Sequence, residues 1–580
     1  MPRSQFVGES GHRPPYPRRL PWKHVTPSER AVLIRNSSPT PVRQKLSANR
    51  QTSGAGTFLL CNPQQWAVAV LSGLIVGGLF WPWYRDVSVW IGVVLFLMAA
   101  TLVHMVFTYG LVVPFPHLAI LVTGLQYVLA AWLSFYYPSF NPVYNIGPRL
   151  PVYLSYAGWV VIIVCLAWAL PFWRIRRSPI QPAPASARLL AELDVLFWIG
   201  MTSTIISHLA NFGILKFFLV LCSDLRYLGA LGRMIVSGAG WKWRILLTLT
   251  LEMLFATGEG MFHSLLLWGA AVFAIYIFKT KPGKIVVLGL ICFGFLALPA
   301  LQQAKGSLRA KGETGDSTGG GLAKVGNAVD WSRTLGSGML KSASGDWDAD
   351  LLSEFIVRFN QGWIIDRVMQ TVPSREPYAK GETLLAAVEA AFLPRLLDPG
   401  KVQAGGYVNT PRYAGISLGG TTSMNLGYAG EMYANFGYWG GIAGCFCYAL
   451  MLGLLFRWAF KRAALSPLWW AFVPYVGLTG LKAEEGIAEV LNWLVKAAVV
   501  SAVIYYNFPA IRAALSGASR SGRRGTSRRA TGARKCLHVR RLFRSPVSTG
   551  DFAVTPGNTR IGPSYGRLPS QSPGAAAGRL

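Results

Sequence analysis

VSVWIGVVLFLMAATLVHMVFT, residues 87 to 108, contains no Lys, Arg, Asp or Glu. Wound as an α-helix it is about 30 Å long, the depth of a bilayer's hydrocarbon core. Lipid offers no hydrogen bonds, so the backbone of such a run must satisfy itself, which a single helix does. Comparable runs lie near 64 to 84, 111 to 136, 151 to 173, 285 to 301, 437 to 456, 466 to 481 and 488 to 507. The stretch from 193 to 278 is also apolar, but Lys216, Asp224, Arg226, Arg233, Lys242 and Arg244 interrupt it. It holds two long spans or four shorter ones, with Asp224 and Arg226 at a span end. The composition agrees: 52% of the 580 residues are hydrophobic and only 14% are charged, which is unusual for a soluble protein.

The net charge of +31 sits mainly in the tails. Residues 1 to 60 carry ten Lys/Arg against two acids, and 509 to 580 carry fourteen against one, together 21 of the excess charges. Both tails are rich in Pro, Ser and Gly, and neither has the apolar surface to offset its ordering entropy, so both are expected to be disordered. Without a folded module or interleaved aromatics this charge does not point to nucleic acid. It marks the cytoplasmic side and touches anionic membrane lipid. The first apolar run begins too far from Met1 for a cleaved signal peptide and reads as a retained span. The seven cysteines form no disulfide framework or metal set and read as buried small hydrophobes.

Positive charge orients the spans. With the N-terminus inside, four crossings lead to Arg174, Arg176 and Arg177, and an even number more to Lys279, Lys281 and Lys284. One further span exports residues 302 to about 434; the next returns to Arg457, Lys461 and Arg462. The expected fold is therefore all-α: a polytopic transmembrane helix bundle of 10 to 12 spans with one large extracytoplasmic loop containing amphipathic helices. The expected organisation is a disordered tail at 1–60, an N-terminal bundle at 61–301, the periplasmic loop at 302–434, C-terminal spans at 435–508 and a second tail at 509–580. Both termini face the cytoplasm.

The exported stretch holds 13 of the chain's 25 acids, balanced by 13 Lys/Arg. It opens on the linker-like GETGDSTGGG at 312 to 321. Apolar residues at 352, 355, 356, 359 and 363 then have amphipathic-helix spacing, and a second helix is expected at 382 to 393, lying on the bilayer surface or on the bundle. A long loop over a bundle is where a site belongs. DWDAD at 346 to 350 opens like a calcium loop but lacks its Gly and its closing Glu. SGAGW at 237 to 241 falls short of a dinucleotide fingerprint. No HExxH, GxSxG, phosphate loop or zinc-spaced Cys/His set occurs, so no metal or cofactor is expected.

Gly427, Gly430, Ala434, Gly437, Gly441 and Gly444 form a small-residue stripe for close helix packing. Glu431 stands inside it, and an ionisable residue near a membrane boundary is a functional candidate. Arg358, Arg367, Arg375, Arg395, Lys401 and Arg412 crowd cations into one segment, and the planar guanidinium suits the oxygens of a diphosphate. Glu354, four residues before Arg358, offers it an ordinary surface ion pair instead. Glu259 and His263, four apart, are a proton-handling pair or a structural hydrogen bond.

FLPRLLDPGK at 392 to 401 and SLGGTTSMNLGYAGEMYANFGYWGG at 417 to 441 resemble the signature of bacterial O-antigen and exopolysaccharide repeat-unit polymerases of the Wzy type. The matching residues are Pro394, Arg395, Pro399, Lys401, Gly430, Glu431, Tyr433, Asn435, Phe436 and Gly437. The resemblance is close over about 90 residues; TGEGMFH at 257 to 263 stands where many members carry Gly and Arg. It implies transfer of a polyprenyl-diphosphate-linked oligosaccharide to an acceptor sugar at the outer face of the inner membrane. Other polysaccharide-assembly proteins would be further partners. Glu431 and Arg395 would be catalytic; Arg358, Arg367, Lys401, Arg412, Tyr433 and Asn435 would bind diphosphate or substrate. Trp363, Tyr378, Tyr407 and Tyr413 would stack on sugars or form the loop core. A ligase of the same chemistry, a transporter of lipid-linked or small solutes, and a non-catalytic assembly component are the alternatives. A topology reporter fused near Gly405 is expected to read as extracytoplasmic; a cytosolic signal would overturn the orientation.

Overall fold

The computed structural model describes residues 63 to 516 except 111–112, 140, 173–184, 210–215, 260–262, 292–293, 295–332, several short runs between 335 and 348, 394–404 and 419–422. The tails 1–60 and 517–580, the linker 312–321, the first three residues of DWDAD and most of the expected 285–301 span lie outside the described residues. Among those described, every regular element is helical.

Seven helical stretches are long and apolar enough to cross a membrane: Val89–Phe107, Phe115–Tyr136, Pro142–Phe172, Ala187–His208, His263–Thr280, Gly427–Leu465 and Ile487–Asn507. The labels used below are α1 (Pro63–Leu79), α2 (Val89–Phe107), α3 (Phe115–Tyr136), α4 (Leu150–Phe172), α5 (Ala187–Leu209), α6 (Lys216–Ser223), α7 (Leu225–Ile235), α8 (Trp241–Glu259) and α9 (His263–Thr280). They continue with α10 (Ala349–Phe359), α11 (Gly362–Thr371), α12 (Glu382–Phe392), α13 (Asn409–Ala414), α14 (Gly427–Leu465), α15 (Trp469–Gly477), α16 (Ile487–Asn507) and α17 (Pro509–Ser516). The stretch that the sequence left as two or four spans holds two of these seven, Ala187–His208 and His263–Thr280, with α6, α7 and α8 between them.

Asp224 and Arg226, read from sequence as lying at a span end, stand where α6 gives way to α7. Both are buried, and Arg226 pairs with Glu252 of α8 while also donating to Thr204 and the Ser223 carbonyl. A buried charge needs such partners to be tolerated, which is why the polar run folds inward.

α4 and α14 pack side by side and run parallel: Tyr156 meets Tyr433, Trp168 meets Phe456 and Phe172 meets Phe460. At the same end as Phe172, Tyr109 donates to the Pro282 carbonyl and Lys279 to Met234. Glu192 of α5 accepts the Ala510 and Ile511 N–H groups there, at 3.0 and 2.9 Å. That carboxylate caps α17, whose Ile511 and Leu515 are buried, so the expected tail at 509 starts instead with a docked helix. This is the tail end of the bundle. At the opposite, loop end lie α10 to α13, with α10 against the last turns of α3 and α11 against α13, α14 and α4.

Two defects shape the loop end. α3 carries a π-turn at Leu125–Leu129, where the wider turn disturbs the usual bonding. The Gln126 carbonyl accepts from Gln361 N–H at 3.1 Å, and the Tyr127 carbonyl from the Tyr153 hydroxyl. α14 breaks at Gly437, which has φ 70° and ψ −159°, a region open essentially to glycine alone. Just before the break, the Ala434 and Asn435 carbonyls accept from Ala379 and Lys380 at 3.0 and 3.1 Å. The small-residue stripe therefore serves several neighbours: a β-carbon at Gly441 would meet Tyr156 Oη, one at Gly427 the Ala483 carbonyl. One at Gly437 would sit 3.0 to 3.1 Å from the Tyr378 ring. Gly437→Ala is expected to cost about 1–3 kcal/mol, visible as a lower unfolding temperature in detergent; an unchanged temperature would contradict the strained break.

Candidate functional site

The helix containing Glu431 starts at Gly427, before the 435 boundary expected from sequence, so Glu431 lies within the helix and not in a loop. It is buried, 4% exposed. Its Oε2 accepts the Ile487 N–H at 2.9 Å, the first helical residue of α16. The N-cap of α16 is Gly486, which has no side chain to do this. A helix begins with N–H groups lacking intrahelical partners and with the positive end of its dipole, and Glu431 answers both across the helix interface. Thr383 of α12 also bonds the carboxylate, while its hydroxyl accepts from Asn435 Nδ2 at 2.7 Å. Asn435 completes the tie: its Nδ2 reaches the Glu431 carbonyl at 2.8 Å and its Oδ1 accepts Gly381 N–H at 2.9 Å.

Glu489, which the sequence reading passed over, reinforces the same helix start. Its Oε1 accepts Gly405 N–H at 2.6 Å, and its Oε2 occupies the space a β-carbon at Gly486 would need. Gly405 and Gly406 both have positive φ, and a β-carbon at Gly406 would overlap the Met424 carbonyl, so only glycine lets this turn close on 423–425. Thr410 Oγ1 to Met424 O at 2.6 Å and Met424 N to Gly405 O at 3.1 Å hold it shut. Between this turn and α16 lies a small cavity lined by Gly406, Val408, Asn409, Asn425, Leu426, Glu431, Gly486, Ala488 and Glu489.

The turn KAEEG at 482 to 486 adds more charge, and the sequence reading passed over it too because it lay inside what looked like a plain gap between spans. Lys482 pairs with Glu485 Oε1 at 2.6 Å, and Asn425 Nδ2 donates to Oε2 at 3.1 Å. Burial alone would raise the Glu485 pKa, but the Lys482 ammonium outweighs it and holds the carboxyl below its usual value. Glu484 accepts from Gln126 Nε2 at 2.9 Å and lies 3.7 Å from His263 Nε2. The Glu259 side chain, and with it the expected pair with His263, lies outside the described residues; Glu484 and Glu485 both lie near His263.

Of the cations read from sequence, Arg395 and Lys401 lie outside the described residues. Arg412 is brought close, but it is committed to Glu376 at 2.6 Å and Glu382 at 2.7 Å and stacks over Tyr413 at 4.9 Å. Arg367 is half-buried beside Asp366, Arg375 is exposed, and Arg358 is exposed on α10 with the Glu354 side chain outside the described residues. Arg149, not singled out in the sequence, lies 3.4 Å from Asp366 Oδ1. Burial raises the Asp366 pKa, with Gln370 and Arg149 pulling it back. Tyr433 is buried edge-on to Tyr156, centroids 5.2 Å apart. Trp363 and Tyr413 are likewise buried, the loop-core reading, whereas Tyr378 and Tyr407 are half-buried. Among the described residues no group of three or more His, Cys, Asp or Glu is arranged to hold a metal ion.

No family model, curated protein or solved structure matches this chain. Chemically, the arrangement offers a wall of hydrogen-bond acceptors and amides, suited to hydroxyl groups. Glu431→Ala strands the Ile487 N–H and the Thr383 hydroxyl and is expected to destabilise the protein by about 1–3 kcal/mol. Glu431→Gln keeps an acceptor and is expected to lose less than half of that in detergent unfolding; equal losses would contradict the capping role.

Proposed function

We propose that this chain is an integral membrane glycosyltransferase of the polysaccharide-polymerase type, taking a polyprenyl-diphosphate-linked oligosaccharide as donor and a sugar hydroxyl as acceptor. The observation that carries the reading is the cavity itself, in which Glu431, Glu489, Asn409 and Asn425 converge at the loop end of a membrane bundle. Carboxylates and amides of this kind bind neutral hydroxyls by accepting and donating hydrogen bonds, and the two carboxylates repel phosphate. The donor's diphosphate then belongs with the loop-end cations Arg149, Arg358 and Arg367 and, from the sequence, Arg395 and Lys401. Charge accumulating on the leaving diphosphate would be stabilised by them, without a nucleotide sugar or a metal. Glu431 lines the cavity and Asn435 holds its backbone carbonyl and the 381 turn, while Arg412 ties α13 to Glu376 and to Glu382 of α12.

The loop end would face away from the cytoplasm, in the inner membrane of a bacterial-type cell. Supporting this, the helix ends leading into Arg174–Arg177, Lys279–Lys284 and Arg457–Arg462 all gather at the tail end, the side that the positive-inside rule assigns to the cytoplasm. A ligase differs from a polymerase only in its acceptor. The transporter reading draws on one observation, the short helices α6 and α7 meeting at Asp224 beside the buried Arg226–Glu252 pair, since interrupted helices with ionisable groups are common in carriers.

Protein reconstituted with polyprenyl-diphosphate repeat units, extracted from cells lacking it, is expected to produce longer lipid-linked chains. Arg395→Ala and Lys401→Ala are each expected to reduce elongation by about 10²-fold. Solute flux across the vesicle without elongation would favour the transporter instead.

A further inference from the structure

α12 begins beside the tip of a helical hairpin. The two arms of α14 fold back on each other at Gly437: the Tyr428 and Tyr448 rings lie 5.2 Å apart, and a β-carbon at Gly441 would sit 3.1 Å from Tyr433 Cα. The long arm, from 438 to the tail-end cations Arg457, Lys461 and Arg462, is apolar and long enough to cross a membrane, so the tip marks the loop-end boundary. Trp439, 68% exposed at that tip, stands at the interfacial level where tryptophan collects. Ala379, Lys380 and Gly381 are bonded to the last residues of the short arm, Ala434 and Asn435. The first turn of α12 therefore lies at the same boundary.

From there α12 can run in only one direction. Thr383 is bonded to Asn435 and Glu431, and Glu431 holds the N–H of Ile487, where α16 starts. α12 packs along α16, and since α16 extends from Ile487 only toward the tail end, α12 descends with it. Its 11 residues are about 16 Å of helix, roughly half the depth of a hydrocarbon core. The faces are sorted to match. Thr383, Ala387, Ala390 and Ala391 are buried, a small-residue face that lets helices approach closely. Leu385, Val388, Phe392 and Leu393 are exposed, Leu385 at 62% and Phe392 at 69%. Lys380 and Glu382 stand at the boundary, Glu382 paired with Arg412. Glu389 is exposed on the apolar face, an expensive position for a carboxylate away from water. By Gly405 the chain is back beside the start of α16, donating to Glu489.

We infer that α12 is a re-entrant helix, lodged in the loop-end half of the bilayer with membrane-lipid hydrocarbon covering the face formed by Leu385, Val388, Phe392 and Leu393. Lipid is the solvent that α16 itself meets at this depth, and a helix is tolerated there because its backbone bonds within itself. This placement is independent of glycosyl transfer.

The test uses the full-length protein in vesicles of phosphatidylethanolamine and phosphatidylglycerol. p-Acetylphenylalanine, placed singly at Leu385, Val388 or Phe392 and at the exposed Arg375 as the aqueous reference, carries a ketone-reactive spin label and leaves the native cysteines alone. Collisions with dissolved oxygen are expected to exceed those with a water-soluble nickel chelate at all three α12 positions, and the excess is expected to grow from 385 to 392. Arg375 is expected to show the reverse. Nickel access along α12 equal to that at Arg375 overturns the inference and places the helix in water. Access for neither reagent also overturns it, because the face is then covered by protein, whether from this chain or a second copy. Glu389→Leu reads the same surroundings without a label. An unfolding temperature raised by about 2–4 °C supports lipid around α12, and an unchanged or lowered one overturns it.

Discussion

The loop end is organised around one hydrogen bond, from the Ile487 N–H to the Glu431 carboxylate. A helix that starts inside protein, beside a bilayer, has no water to satisfy its first N–H groups, and each one left bare costs free energy comparable to a lost hydrogen bond. Gly486 contributes nothing from its own side chain, so the partner must come from elsewhere. Glu431 supplies it from α14, and in doing so fixes α14 to α16. Thr383 and Asn435 then fasten α12 and the 379–381 turn to the same point. Glu489, three residues into α16, carries the tie outward to Gly405. The cavity is the space these four attachments leave.

The fold class was legible because apolar length is a direct physical requirement of the bilayer, visible in runs such as 87 to 108. The passes between 187 and 280 were harder to read, since Arg226, Arg233 and Arg244 depress hydropathy while being neutralised in space by Glu252 and Asp194. Pairing across 26 to 50 residues leaves no local pattern. Glu431 stood out in sequence because an acid among small residues at a membrane boundary is costly, yet its sequence position could not show that the charge faces an N–H group. The 482–486 turn was missed for the opposite reason: five polar or small residues between apolar runs look like an ordinary connection. Their placement against Gln126, His263 and Asn425 comes only from how α3, α9 and the 423–425 segment converge. The signal that existed was the density of acids in KAEEGIAE, three glutamates within six residues beside a span.

Tyrosines handle much of the remaining polarity inside the bundle. Tyr127 donates to the Ala483 carbonyl, Tyr153 to Tyr127 and Tyr156 to Ala429. Each hydroxyl serves a carbonyl near a defect or a helix start, where the regular ladder is incomplete. The aromatic bodies meanwhile fill the interior, so one residue type both packs the core and repairs the backbone.

The break at Gly437 divides α14 into two bodies with different allegiances. Residues 427 to 436 are bonded to the 379–381 turn and to α16 as well as to Tyr156 of α4, whereas 438 to 465 continue along α4 as an apolar helix long enough to cross the membrane. Tilting of the long segment, as when the bilayer thins or thickens around it, is absorbed at a glycine with no β-carbon to resist. The short segment stays with the cavity walls through the Ile487 N–H and the 379–381 turn.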